Sequence, residues 1–325
     1  AKVSKLINKK KSSKKIHLSD TVILLIVIMA LCIFFSLTNR QFIAYNNISS
    51  MLRNMVITGI LALGLTPLMI ARGIDISFGS SLSFTSVIMA LLYSGGLNLW
   101  VSLFVGVILA TFIGFINGVL IEKFDLTPLI FTLGMLAILQ ALALVFSDAK
   151  TVAMLTDELY FFATKTFLKI PLAVIVLIVL IMIYWFVMSF TKLGRTIYVI
   201  GANPKVAQLS GIKVKKAKIL LYTFMGLSVG IASIIVVALT GVGMPYHGIK
   251  LPLPTLSAVL LGGISLAGGS GSVWGTVIGV IIITVIFNGL SVLNVPSYFI
   301  QLFQGLALIL IVATYEIRNK RRLAR

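Results

Sequence analysis

Seven uncharged polar residues lie within long apolar stretches of the sequence, where they can donate or accept hydrogen bonds. Amides and hydroxyls suit a neutral, hydroxyl-rich solute, because such a solute needs donors and acceptors rather than a counter-ion. The alternative role is hydrogen bonding between helices in a membrane, worth about 0.6–2 kcal/mol per contact. Both roles are open for Asn54, Asn117, Thr132, Gln140, Asn288, Gln301 and Gln304.

Asp75 is an acidic residue among residues that break or bend helices, with Pro67 and Gly73 before it and Gly79 after it. Arg72 stands three residues earlier, so the two side chains could pair on one helical turn. We favour this ion pair as a structural contact. The alternative is a gate, and Asp75 therefore joins the seven neutral residues as a candidate for a translocation path or gate.

Several chemistries are excluded by what the sequence lacks. It contains no G-x-x-x-x-G-K-[ST] phosphate loop, and Gly268-Gly-Ser-Gly271 has no lysine that would reach a nucleotide phosphate. His17 and His247 stand far apart and Cys32 is the single cysteine, which excludes a metal cluster or a Ser-His-Asp set. The acidic residues stand at the edges of apolar runs, which argues against a proton relay. We expect this chain to have no catalytic residues and to bind no metal or cofactor itself.

Apolar runs without charge must position these polar residues. The chain of 325 residues is 59% hydrophobic and 11% charged, with a mean hydropathy of +1.12, whereas a soluble domain carries about 25% charged residues. The runs cover residues 21–39, 54–71, 76–121, 126–147, 170–191, 219–249 and 251–315. About 20 apolar residues cross a bilayer, so the long runs hold two and three spans. The sequence predicts an all-α polytopic membrane protein with about ten transmembrane helices, of which the one in 251–271 could instead be short or re-entrant.

Basic residues cluster outside the apolar runs. Their counts are seven lysines in residues 1–15, seven Lys/Arg in 192–218 and five in 318–325. Cytoplasmic loops are enriched in Lys and Arg, so both termini are expected in the cytoplasm, and the net charge of +19 does not indicate nucleic acid. We predict a basic cytoplasmic segment at 1–20, a single transmembrane domain at 21–316 and a basic cytoplasmic tail at 317–325. The first apolar run exceeds a signal-peptide core, which predicts a retained helix.

The basic loop 190–218 contains the signals of one short helix. Asn203 can cap it, Pro204 suits its first position and Gly211 suits its end, which predicts a helix of about two turns. Val206 and Leu209 are spaced to share one face. The helix is either a plain connector or a knob that docks in a groove of a partner protein.

Several motifs resemble those of permeases from ribose-type ATP-binding-cassette (ABC) importers, in order from about residue 50 to 315. The cytoplasmic signature is Thr191-Lys-Leu-Gly-Arg-Thr-Ile-Tyr-Val-Ile-Gly-Ala-Asn203, then Ala207, Leu209-Ser-Gly-Ile212 and Val214. The others are Gly73-Ile-Asp-Ile-Ser-Phe-Gly79, Asn117-Gly118, Thr132-Leu-Gly134, Leu261-Gly-Gly-Ile-Ser-Leu-Ala-Gly-Gly-Ser-Gly271 and Asn288-Gly-Leu290.

The resemblance implies a permease in the bacterial cytoplasmic membrane that imports a monosaccharide such as ribose, with a fold similar to the vitamin B12 importer's membrane subunit. It implies three kinds of protein partner: separate ATPase subunits that hold Mg-ATP, a second permease subunit and an extracytoplasmic solute-binding protein. The implied ATPase-coupling residues are Gly201, Ala202, Asn203, Pro204, Val206, Ala207, Leu209, Ser210 and Gly211.

Two departures from the family pattern bear on the solute. The family usually has an acidic residue and an Ala-rich run before the Gly-Gly-x-Ser-Leu motif, where this chain has Leu251-Pro-Leu-Pro-Thr-Leu-Ser-Ala-Val259. Likewise, Gln140-Ala-Leu-Ala-Leu144 stands in place of the more usual Arg-Gly-Leu-Ala-Leu. They keep open a solute other than ribose, such as a nucleoside or a furanose-like signalling molecule, or an unequal role within a heterodimer. A self-contained secondary carrier and a membrane scaffold that transports nothing are the alternatives from other classes.

Overall fold

The structure is a computed structural model that describes residues 20–167 and 170–323. Thirteen α-helices occur within these residues: α1 Asp20–Thr38, α2 Tyr45–Ile70, α3 Phe78–Ser94, α4 Leu99–Lys123, α5 Pro128–Phe146, α6 Asp157–Thr164, α7 Leu172–Phe190, α8 Lys192–Ala202, α9 Pro204–Leu209, α10 Val214–Thr240, α11 Pro252–Leu261, α12 Val273–Val292 and α13 Ser297–Leu323. A 3-10 turn, Arg40–Ile43, joins α1 to α2. Outside the described residues lie nearly all of the predicted basic segment 1–20, including His17, and the last two residues of the predicted tail 317–325.

Four strands of two residues each, all that the described ranges contain, form two antiparallel pairs. β1 (Val152–Ala153) pairs with β4 (Val242–Gly243), and β2 (Thr166–Phe167) pairs with β3 (Ile170–Pro171). The first pair ties the connection that follows α5 to the connection that follows α10. The predicted all-helical fold is therefore confirmed, apart from these short pairs in the connections.

Six helices are long and apolar enough to cross a membrane: α2, α4, α5, α7, α10 and α12. They have 19 to 27 residues, and a rise of about 1.5 Å per residue gives lengths comparable to the roughly 30 Å of hydrocarbon in a bilayer. The chain is thus a polytopic, multi-pass membrane protein. Four shorter apolar helices lie where the remaining spans were predicted: Val22–Thr38, Phe78–Ser94, Pro252–Leu261 and Ser297–Ala313.

α11 has only ten residues. Pro252 and Pro254 fit its first turn, where the missing N–H of a proline leaves no bond unmade. Gly262 caps its end, and Gly263 follows with a φ of 86°, which glycine adopts without strain. The predicted span in 251–271 therefore contains a helix about 15 Å long, which is half of what a bilayer needs.

α2 begins earlier than the charge-free run suggested. The run starts at residue 54, whereas the helix begins at Tyr45 and includes Arg53. The buried ring of Phe42, in the preceding turn, stacks on Phe35 of α1 with 5.4 Å between ring centroids. This contact fixes where the chain enters α2. Arg53, which stands just before the charge-free run, is therefore the ninth residue of a spanning helix.

Helices α4 and α10 pack through glycines that let the two backbones approach. A Cβ on Gly114 would overlap the carbonyl oxygen of Tyr222, and a Cβ on Gly226 would overlap that of Ala110. Small residues at helix contacts are typical of membrane bundles, because packing rather than the hydrophobic effect holds such helices together. The close approach buries the whole side chain of Tyr222.

Candidate functional site

Three segments distant in sequence meet at the C-terminal end of α2. We call this meeting point the α2–α8 junction and define it by Ile70, Arg72, Gly201, Ala202 and Gly269. The backbone N–H of Gly269 donates to the carbonyl oxygen of Ile70 over 2.8 Å. Arg72 donates from Nε to the carbonyl oxygen of Gly201 (2.7 Å) and from a terminal nitrogen to that of Ala202 (2.9 Å). The cation thus satisfies carbonyls at the end of α8, where the helix dipole is negative.

Arg72 does not form the ion pair with Asp75 that the sequence favoured, and that prediction is wrong. The spacing of three residues brings side chains together only on a helix, but α2 ends at Ile70 and α3 begins at Phe78. With a φ of 64°, Arg72 lies in the connection between them. Its guanidinium bonds to α8 instead.

Gly201 is the tightest point of the α2–α8 junction. A Cβ at this position would overlap the carbonyl oxygen of Ile70 and the backbone nitrogen of Gly269. One turn earlier, the hydroxyl of Tyr198 donates to the carbonyl oxygen of Gly271 over 2.9 Å. These contacts fasten α8 both to α2 and to the glycine-rich connection before α12.

α9 confirms the short helix that the sequence predicted in 203–211. The side-chain oxygen of Asn203 accepts hydrogen bonds from two backbone N–H groups of the first turn, at 3.0 and 3.2 Å, as an N-cap residue does. Gly211 adopts a φ of 82°. Its N–H donates to the carbonyl oxygen of Gln208, and the N–H of Ile212 donates to that of Ala207, which together form a Schellman motif. The helix of six residues is therefore fixed at both ends.

Two apolar side chains point outward from α9. Leu209 is 81% exposed and Val206 is 52% exposed, whereas Ala207 between them is buried. The predicted shared face is thus confirmed. An exposed apolar pair on a well-capped helix suits a groove in a partner protein. The remaining predicted coupling residues are exposed (Ala202, Asn203, Ser210 and Gly211), half-buried (Pro204) or buried (Gly201).

α8 is an element that the sequence reasoning missed. Its N-terminal signal was present, since the hydroxyl of Thr191 accepts a hydrogen bond from the N–H of Gly194 over 3.2 Å. Two glycines among its 11 residues disfavour a helix by propensity alone. Packing of Ile197 and Ile200, both buried, outweighs that cost.

Asp75 lies in the connection between α2 and α3 and is 3% exposed. One carboxylate oxygen accepts from the N–H (2.8 Å) and the hydroxyl (2.6 Å) of Ser77. The amide nitrogen of Asn117 lies 3.1 Å from the Ser77 hydroxyl and 3.5 Å from the other carboxylate oxygen. Burial raises the pKa of Asp75, and the weaker effect of these hydrogen bonds opposes the rise. Because Tyr222 also donates to the carbonyl oxygen of Ile74 over 3.1 Å, this connection is bound to both α4 and α10.

Three other candidates for the translocation path already form hydrogen bonds within the fold. The amide of Gln140 donates to the carbonyl oxygen of Pro245 over 2.8 Å. Asn288 and Asn47 exchange two hydrogen bonds of 3.0 Å between α12 and α2. The hydroxyl of Thr132 donates to a carbonyl oxygen of its own helix over 2.9 Å. The Asn288 contact fits the interhelical role left open from the sequence, the Gln140 contact joins α5 to the connection after α10, and the Thr132 contact stays within α5.

The structure brings together Asp75 and Asn117 and spreads the other six path candidates over α2, α5, α12 and α13. Asn54 and Gln301 are exposed, and Gln304 is half-buried. Sequence reasoning missed Ser77 and Asn47, the partners of Asp75 and Asn288. Ser77 lies two residues after Asp75 in the same connection, and an aspartate that bonds to the backbone two residues on is a local turn signal that the sequence offered. No local signal marks Asn47, because its contact with Asn288 joins two different helices.

Comparison with known proteins places these elements in a family. Residues 47–312 match the family described as "Branched-chain amino acid transport system / permease component". The chain belongs to this permease family. The matched residues include the α2–α8 junction, α9 and the surroundings of Asp75. No solved structure matches this permease.

Three relatives of this permease have named solutes. It is 34% identical over 284 residues to "Ribose import permease protein RbsC" of Bacillus subtilis (strain 168), covering 87% of this chain and 88% of the relative. It is 32% identical to "D-allose transport system permease protein AlsC" of Escherichia coli (strain K12), covering 92% of each. It is 29% identical to "Autoinducer 2 import system permease protein LsrD" of Yersinia enterocolitica, covering 89% of each. The resemblance to ribose-type permeases seen in the motifs is confirmed.

Proposed function

We propose that the chain is the permease subunit of an ATP-binding-cassette importer for a monosaccharide such as ribose or a related sugar. The single observation that carries the proposal is the similarity to a ribose import permease over 87% of the chain. The D-allose relative supports the same class of solute. In this proposal the chain forms the path through a bacterial cytoplasmic membrane and binds no cofactor. Mg-ATP belongs to a separate ATPase chain.

The proposed topology has about ten membrane segments, of which α11 is short or re-entrant, with both termini in the cytoplasm, in a fold similar to the vitamin B12 importer's membrane subunit. Six long helices together with four shorter apolar helices make up this number. Residues 21–316 form one transmembrane domain, flanked by basic cytoplasmic segments at 1–20 and 317–325. The loop 190–218, which carries α8 and α9, lies on the cytoplasmic side.

We assign α9 to the groove of an ATPase subunit. Leu209 and Val206 supply exposed apolar contact area, and the caps of α9 keep its orientation fixed. Closure of two ATPase subunits on ATP would move α9 and α8 together. The α2–α8 junction would transmit this movement to α2 and to the connection before α12, so that the path opens alternately to the two sides. A second permease subunit and an extracytoplasmic solute-binding protein complete the assembly.

The eight path candidates stay part of the proposal: Asn54, Asp75, Asn117, Thr132, Gln140, Asn288, Gln301 and Gln304. The hydrogen bond between Asp75 and Asn117 supports a gate there, because it links a helix connection to a neighbouring spanning helix. Of the other residues, the exposed Asn54 and Gln301 and the half-buried Gln304 would supply neutral hydrogen-bonding groups to the solute directly. Thr132, Gln140 and Asn288 would exchange their present hydrogen bonds for bonds to the solute.

A furanose-like signalling molecule is the second candidate solute. The relative named as an autoinducer 2 permease favours it, as does the sequence departure at Gln140-Ala-Leu-Ala-Leu144. Competition of D-ribose uptake by the purified signalling molecule would separate the two candidates. A nucleoside permease is a further member of the same class, and uptake that persists in ATP-depleted vesicles would indicate a secondary carrier instead.

The decisive experiment is Leu209→Asp in the complete importer in proteoliposomes. A central apolar contact is worth about 2 kcal/mol or more, which corresponds to a loss of roughly 30-fold in affinity for the ATPase. We expect ATP-driven uptake of D-ribose to fall in proportion to the lost affinity for the ATPase. The melting temperature of the permease should stay unchanged. Gln208→Asp is the matched control, since Gln208 is an exposed polar residue of the same helix. Normal coupling in Leu209→Asp would refute the assignment of α9.

A further inference from the structure

One face of α2 changes character halfway along the helix. At spacings of four and seven residues, which keep side chains on one side of a helix, it carries Asn46, Ser50 and Asn54 in the N-terminal half. The same face continues with Leu61 and Leu65 in the C-terminal half. The three polar residues are exposed, whereas the two leucines are completely buried. The neighbouring helices therefore seal this face only beyond Asn54.

The exposed residues of α4, another spanning helix, show the composition of a surface that contacts lipid and can be compared with the exposed face of α2. α4 exposes Trp100, Phe104, Ile108 and Phe112, each more than half accessible and each large and apolar. Polar residues within spanning segments face the bundle interior or a water-filled cavity, because hydrocarbon offers them no hydrogen bonds. The exposed N-terminal half of the α2 face has amides and a hydroxyl instead, which is the composition of a surface in water.

Arg53 lies at the edge of the same face, about 12 Å along the helix from Tyr45. Its Nε is buried and has no hydrogen-bond partner within the part of the chain that the structure describes. A guanidinium offers five donors in a fixed planar arrangement, and its two terminal nitrogens can bind neighbouring oxygen atoms of one solute. A cation in a spanning segment of a bilayer is costly unless it faces water or a partner.

We infer that Arg53, Ser50 and Asn54 form the solute-binding wall of a water-filled vestibule that ends at Leu61 and Leu65. This inference deepens the proposed function and rests on it for the identity of the solute. The ligand class is a neutral, hydroxyl-rich molecule whose hydroxyl oxygens accept from Arg53, with the surrounding groups uncharged. In the proposed orientation the vestibule opens to the extracytoplasmic side, where a binding protein would deliver the solute.

Cysteine labelling tests the water-filled vestibule without depending on transport. In a Cys32→Ser background, Ser50→Cys and Asn54→Cys are treated with a charged, membrane-impermeant thiosulfonate in the assembled importer. The reagent reacts with the thiolate, which forms in water and not in apolar surroundings. We expect labelling at least about tenfold faster than for Phe104→Cys, facing lipid, or Leu65→Cys, in the sealed half. Rates equal to that of Phe104→Cys, or a disulfide between the Asn54→Cys residues of two permease copies, would overturn the inference.

Protection by D-ribose tests the solute contact. We expect D-ribose to slow labelling of Asn54→Cys, Arg53→Gln to abolish this protection and Arg53→Lys to restore part of it. Arg40→Gln is the matched control, because Arg40 is an exposed arginine in the turn before α2. Protection that survives Arg53→Gln, or stronger protection by ribose 5-phosphate than by D-ribose, would refute the neutral-solute site. Fast labelling without any ATP-driven uptake by the wild-type importer would refute the proposed function and leave the vestibule standing.

Discussion

The two ends of α2 are built in opposite ways. At the C-terminal end, the carbonyl oxygen of Ile70 accepts from Gly269, and Arg72 donates to the carbonyl oxygens of Gly201 and Ala202. A methyl group added at Gly201 would overlap backbone atoms of Ile70 and Gly269. In the N-terminal half, polar side chains stand exposed on a helix of spanning length. One end is held by contacts that allow little movement, and the other presents hydrogen-bonding groups without filling the space beside them.

This difference indicates how one helix can serve two tasks. Packed interiors transmit small displacements because they are dense and incompressible, so the α2–α8 junction is suited to carry movement from α9. A solute site needs open space and donors that are not already used. If α2 moves as a rigid body, a displacement at the junction alters the exposed half directly.

Of the substitutions that test the difference between the two ends of α2, Gly201→Ala is expected to have the largest effect on stability and uptake. The new Cβ would overlap the backbone of α2 and of the connection before α12, and overpacking of this kind costs about 1–3 kcal/mol. We expect a free energy of unfolding lower by about 1–3 kcal/mol, together with a loss of ATP-driven uptake, because the displaced α8 would no longer transmit the movement of α9 to α2. Thermal unfolding in detergent and uptake in proteoliposomes measure the two effects.

Gly134→Ala is the control for this substitution, because nothing lies within 4 Å of a Cβ at that position. It removes a glycine from a helix and is expected to leave stability equal or slightly higher. Equal behaviour of the Gly201 and Gly134 variants would mean that the junction is not tightly packed.

Arg72→Gln should have an intermediate effect. It removes two hydrogen bonds from a charged donor to carbonyls of α8, and bonds to charged groups contribute about 1.5–3 kcal/mol each at most. We expect faster hydrogen exchange at backbone amides 198–203 and a partial loss of uptake. Arg195→Gln, which alters an exposed arginine of α8, should leave both unchanged. Unaltered exchange in Arg72→Gln would remove Arg72 from the junction.

Ser50→Ala is expected to have the smallest effect on stability, within about 0.5 kcal/mol, as for surface positions without special contacts. The physical reason is that Ser50 is exposed and fills no packed space. Chemical denaturation in detergent measures the change. A loss comparable to that of Gly201→Ala would show that the N-terminal half of α2 is as tightly held as the junction, and the contrast between the two ends would disappear.

Features that depend on neighbouring residues can be predicted from the amino-acid sequence. Charge-free runs located the six long helices, because the cost of burying a charge in hydrocarbon acts on each segment separately. Asn203, Pro204 and Gly211 located α9 because capping joins groups only two or three residues apart. The motifs identified the family before any contact was known.

Contacts between distant segments depend on how the helices pack, and no local pattern predicts them. Arg72 and Gly201 are separated by 129 positions in the chain. Local spacing therefore predicted Asp75 as the partner of Arg72 and could not predict the carbonyls of α8. The burial of Asp75 depends on where α4 and α10 lie, and the early start of α2 depends on packing before Tyr45. The burial of a polar residue on α2 depends on how far the neighbouring helices extend beside it. The sequence of α2 alone does not contain this information.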